Sequence, residues 1–130
     1  MNRTDLIAKL EAASEGSSVL DGQIMLAMGE GFTWPENTHV TTSIDAAGAL
    51  IEKMLPSWSI QIMIERRSKE PPWFCVHMQD SEYISLYWHE GDADGNAYSQ
   101  AYSRATPSIA LCIALLRALD AEEAAEKAEA

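Results

Sequence analysis

Apolar residues recur at helical spacing in four stretches of the chain, and at strand spacing in a block between the third and the fourth. In the first stretch Leu6, Ile7 and Leu10 share one face behind Thr4 as the expected cap. Glu15 to Ser17 breaks that helix, and Ser18 is the expected cap of a second one carrying Leu20, Ile24, Ala27 and Met28, with Gly29 and Gly31 at its end. The third starts at Ser43, takes Asp45 into its first turn and places Ile44, Ala47, Ile51 and Met54 on an inner stripe until Pro56 stops it. From Trp58 the period becomes two. Trp58, Ile60, Ile62 and Ile64 alternate with Ser59, Gln61, Met63 and Glu65, as a half-buried strand requires, and Phe74, Val76 and Met78 alternate with Trp73, Cys75, His77 and Gln79. Tyr83–Glu90 and Ala97–Ser103 then flank an Asp94-Gly95 pair suited to a hairpin turn. The last stretch, RATPSIALCIALLRA from Arg104 to Ala118, opens with a Thr106 cap and Pro107 at the first helical position, where a missing N–H costs nothing. Its apolar surface is too wide for a surface helix, so it must pack across a sheet.

This order predicts an α+β fold. It is a layered α/β sandwich with an antiparallel meander of three to four strands between N-terminal helices and a C-terminal core helix. Residues 1–119 form a single domain, and residues 120–130, with five acidic side chains and one lysine, form an acidic Ala/Glu-rich tail that is helical or frayed. A chain of 130 residues buries somewhat under ~70% of its unfolded surface, enough for a core without metal or disulfide.

Charge narrows the partners. Nine Lys and Arg against twenty Asp and Glu leave a net charge of -11, which repels duplex nucleic acid and anionic membranes. Cys75 and Cys112 are too few for a disulfide framework and suit buried free thiols, so the expected compartment is a reducing cytoplasm. No signal-like opening and no run of ~18 apolar residues suggests secretion or membrane spanning.

The segment TSIDAA from Thr42 to Ala47 ahead of a helix ending at Leu55-Pro56, the Trp-led strand, and the helix from Arg104 to Ala118 together resemble the small phage and prophage proteins of the phage ABA sandwich family. The resemblance spans Arg3 to Leu119 and implies an α/β sandwich of phage or prophage origin, which would act in the cytoplasm of a host cell. It carries over no catalytic motif.

Candidate chemistry is sparse. His39, His77 and His89 lack metal-ligand spacing among themselves and with the cysteines, and the glycine of Asp92–Asn96 stands at position four rather than the sixth place a calcium loop requires. A Cys75 and His77 dyad is conceivable because both lie on one strand face, but neither a nucleophile elbow nor a phosphate-binding glycine loop occurs. No metal, cofactor or enzymatic activity is therefore expected. What remains is a basic and aromatic set: Arg66 and Arg67 with Lys69 at the end of the first strand, Arg104 before the Thr106 cap, and Trp34, Trp58 and Trp73 as flat surfaces. Were Arg66, Arg67 and Arg104 to converge on the Thr106 helix start, a small anionic ligand would gain guanidinium and backbone N–H bonds with stacking on a tryptophan. The competing reading makes the tryptophans core and the arginines a solvated strand end.

Two functions follow as expectations. The first is a non-enzymatic phage accessory protein that binds a small molecule or a host protein, in its sharpest form a counter-defence sequestration of a nucleotide-derived signal. The second is a homo-oligomeric structural or interaction module without a ligand.

Overall fold

In a computed structural model, which describes residues 2–29, 34, 38–66, 73–80, 98–103 and 105–129, four helices and three strands appear among the described residues. They are α1 (Arg3–Ala12), α2 (Ser18–Ala27), α3 (Ile44–Met54), β1 (Trp58–Glu65), β2 (Trp73–Asp80), β3 (Tyr98–Ser103) and α4 (Pro107–Glu129). The predicted strand Tyr83–Glu90 and the Asp94-Gly95 turn lie outside the described residues, as do Arg67, Lys69, Trp88, His89 and Arg104.

Each helix begins on a polar side chain that accepts a backbone N–H three residues on. Ser43 takes the N–H of Ala46 and Thr106 that of Ile109, as the pattern implies. The first two caps differ from expectation: Asn2, not Thr4, caps α1, and Ser17, not Ser18, caps α2. The reason at α2 is tertiary. Thr41 brackets Ser17, its hydroxyl receiving the Ser17 N–H at 3.0 Å and lying 3.2 Å from the Ser17 carbonyl, and this holds Ser17 in the extended conformation a cap needs. The approach is so close that a Cβ on Gly16 would stand 2.5 Å from the Thr41 carbonyl oxygen, which leaves room for glycine alone.

The strands form one antiparallel sheet in the order β1-β2-β3, with Glu65 opposite Trp73 and Phe74 opposite Ser103. Along the chain the meander lies between the N-terminal helices and α4, whereas in space α4 is itself the middle layer, packed on β2 and β3 from one side and on α1 and α3 from the other. That double contact explains why every residue from Ser108 to Leu116 is buried and why the helix carries apolar side chains all round. The Ser99 hydroxyl donates to the Ala114 carbonyl at 2.8 Å, tying β3 directly to α4.

Two burial patterns depart from expectation. In α3 the inner face is Ala47, Leu50 and Ile51, while Ile44 points half outward. In β1, Ile60, Ile62 and Ile64 share a face with buried Met78 and Val76, yet remain 38%, 40% and 53% exposed, because α4 lies over β2 and β3 and leaves β1 at its flank. Among the described residues no helix is long and apolar enough to cross a membrane.

Candidate functional site

The register brings the end of β1, the start of β2, the end of β3 and the start of α4 to one end of the sheet. Beside the outer edge of β3 at that end lies an open cavity of about 530 Å³, a size typical of small-molecule sites. The end of α1 and the turn after it supply Glu11, Ala13 and Ser14; β2 and β3 supply Trp73, Tyr102 and Ser103; Ala105 and Arg117 close it from the α4 side.

Its aromatic wall is fixed by geometry. Trp73 and Tyr102 meet edge to face, their centroids 6.4 Å apart at 89°, a favoured arrangement for two rings on adjacent strands. The Tyr102 phenol accepts from the Gln100 side-chain amide, and its hydrogen bond with the Cys75 thiol pushes its pKa up from the ordinary tyrosine value. It is thus a neutral hydroxyl near neutral pH.

The cationic part is Arg117. One guanidinium nitrogen donates to the Gln100 carbonyl at 2.9 Å and so covers part of the β3 edge that no described strand pairs. The other stands 3.4 Å from a Glu11 carboxylate oxygen, longer than the ~2.7–2.9 Å of a good charge-assisted hydrogen bond, with both side chains substantially exposed. A stronger anion can therefore compete for that nitrogen without uncovering the strand.

Of the described residues singled out from sequence, Trp73 is the one that lines this cavity. Arg66 is exposed at the same end, directly after the Glu65 that pairs with Trp73. Trp58 sits at the opposite end of β1 across from Asp80 and belongs to the core. Trp34 lies beside Lys53 in the last turn of α3, its ring centroid 5.5 Å from the ammonium, so neither tryptophan joins Trp73. The Thr106 hydroxyl is occupied, accepting from Ile109 and donating to the Thr41 carbonyl at 3.2 Å. Arg67 and Arg104 are outside the described residues.

The other sequence candidates resolve by burial. Cys75 and His77 do meet, with Sγ 3.1 Å from Nε2, but Cys75 is fully buried and presents no sulfur to a substrate. Among the described residues no group of three or more His, Cys, Asp or Glu side chains is placed to hold a metal ion.

Sequence reasoning passed over three residues that matter here. Glu11 and Arg117 read as ordinary polar positions on two helices 106 residues apart in the chain, and nothing local signals that they meet. Asp21 reads as a solvated residue of α2, yet it is buried and accepts the Thr41 N–H at 2.9 Å and the Thr41 hydroxyl at 2.6 Å, with His39 at 3.4 Å. That hub joins the α1–α2 turn to the segment before α3, which Thr106 in turn ties to the start of α4. No family model, curated protein or solved structure matches the chain.

Proposed function

We propose that this chain is a non-enzymatic binding protein that holds a small, planar, anionic molecule in the cavity beside β3, and that it serves as a phage or prophage accessory protein. The observation that carries the reading is the coincidence, in one cavity of about 530 Å³, of an aromatic pair and a guanidinium whose carboxylate partner stands 3.4 Å away. A flat ring finds apolar walls in Trp73, Ala13 and Ala105, while a phosphoryl or carboxylate oxygen takes the Arg117 nitrogen from Glu11, and Ser14 offers a hydroxyl. The sharpest form of the reading is sequestration of a nucleotide-derived signal inside a host cell. A net charge of -11 favours such a small ligand over a polynucleotide, which would meet repulsion along its whole length.

The test is mass spectrometry of small molecules carried through native purification, followed by calorimetry against cyclic and ADP-ribose-type nucleotides. Arg117→Ala is expected to weaken binding by ~1.5–3 kcal/mol, the worth of a hydrogen bond to a charged group. If no compound binds tighter than ~1 mM, or if Arg117→Ala leaves a measured affinity untouched, the proposal fails. A second reading, the homo-oligomeric module, is favoured by a different observation, the exposed isoleucines of β1.

A further inference from the structure

The two edges of the sheet are finished differently. At β3, Arg117 reaches over and occupies the Gln100 carbonyl. At β1 the described residues show no such cover, and Trp58–Glu65 contains no proline, no lysine and no break in its pairing with β2. These are the devices by which edge strands normally refuse a partner. Instead β1 carries Ile60, Ile62 and Ile64 on one face, each between 38% and 53% exposed.

We propose that β1 is a self-association edge, on which a second copy of this chain adds its own β1 antiparallel about a two-fold axis through Ile62 and joins the described strands of both copies into one continuous sheet. The sequence of the strand is self-complementary in that register. A two-fold axis perpendicular to the sheet reverses the strand and keeps its faces, so opposed residues come from the same face. Ile62 then meets Ile62 of the second copy, Ile60 meets Ile64, Ser59 meets Glu65 and Gln61 meets Met63. Arg66 falls across from Trp58, a cation beside a ring. No like charges oppose one another, whereas a parallel in-register pairing would set Glu65 on Glu65 and Arg66 on Arg66. The α4 layers of both copies lie on the same side of the joined sheet, and the six isoleucines fill the strip between them.

Area sets the strength. The exposed parts of the three isoleucines add up to little more than one whole isoleucine per chain, so even with the strand backbone the contact belongs to the small class, under ~1,200 Å² in total. The dimer is therefore weak, with a dissociation constant on the order of 10–100 μM. Because each copy bears a net charge of -11, added salt screens their repulsion and tightens it.

Sedimentation of the full chain across ~1 μM to 1 mM tests this. The wild type is expected to pass from monomer to dimer, with the transition moving to lower concentration at higher salt, and Ile62→Lys is expected to abolish dimer while keeping the wild-type circular dichroism spectrum and melting temperature. Leu26→Lys, at an exposed apolar position on α2, is expected to change nothing. Oxidation of single-cysteine additions checks the register independently: Ile62→Cys crosslinks to its own copy and Ile60→Cys does not, the native Cys75 and Cys112 being buried. A chain that stays monomeric to ~1 mM, which would leave the strip to some other protein, overturns the proposal. So does a dimer that survives Ile62→Lys, one lost in Leu26→Lys, or a crosslink preferring position 60.

Discussion

Replacing Asp21 by alanine isolates what the buried polar hub contributes. In the folded chain its Oδ1 accepts both the Thr41 N–H at 2.9 Å and the Thr41 hydroxyl at 2.6 Å, and the residue is 6% exposed. Asp21→Ala strands the N–H, a loss of about 1–3 kcal/mol, and removes a hydroxyl bond to a charged acceptor, about 1.5–3 kcal/mol more. Against this stands the relief of no longer burying a carboxylate, and the Thr41 hydroxyl retains the Ser17 carbonyl at 3.2 Å. The net expectation is a destabilisation of about 2–4 kcal/mol. Asp21→Asn keeps an acceptor oxygen in place and loses only the charge, so it should cost about half as much. Urea denaturation followed by circular dichroism reads both as shifts of the midpoint at unchanged slope. An Asp21→Ala protein within ~0.5 kcal/mol of wild type, or the two variants equally destabilised, would show that the hub is incidental rather than a fastener.

Leu116→Ala in the buried part of α4 is expected to cost ~2–5 kcal/mol, whereas removing residues 121–130, which takes away the exposed ion pair of Arg3 with Glu123, should cost under ~1 kcal/mol; equal losses in denaturant titrations would mean that the core lies elsewhere. Both thiols are buried, and burial together with the Asp21 charge pushes the Cys112 pKa far up. A thiol reagent at pH 8 should therefore label neither cysteine in the folded protein and both in denaturant; stoichiometric labelling of the native state would contradict this. The raised Cys112 pKa also has a sign. The folded chain holds that proton where the unfolded chain releases it, so stability should decline as pH climbs above 9.0, and the alkaline slope should be shallower in Cys112→Ala.

What the sequence reveals, and what it hides, follows from the range of each interaction. The α4 start was legible because a cap, a proline and an apolar run are all local signals, and β1 was legible because period-two alternation belongs to the strand itself. Ser17 and Asn2 as caps were not, since neighbouring Ser, Thr and Asn side chains compete and a contact from Thr41, 24 residues on, decides one of them. Alternation likewise shows which side chains of β1 share a face but not whether a helix covers them, and so Ile60, Ile62 and Ile64 read as the buried face of a half-buried strand. The cavity lay furthest from view. Trp73 was a candidate on composition alone, while Arg117 and Glu11 acquire meaning only when α1, β3 and α4 come together.

The four tryptophans offer the most direct test of where a ligand sits, because each gives one indole N–H resonance in a nitrogen-15 correlation spectrum. The resonance of Trp73, assigned by its disappearance in Trp73→Phe, is expected to shift progressively as a nucleotide from the calorimetric panel is added. Those of Trp58, in the core, and Trp34, beside Lys53, should stay in place, and Arg117→Ala should suppress the Trp73 shift at the same nucleotide concentration. Movement of Trp58 or Trp34 with Trp73 unchanged, or no movement of any indole at ~10 mM nucleotide, would contradict a binding site beside β3.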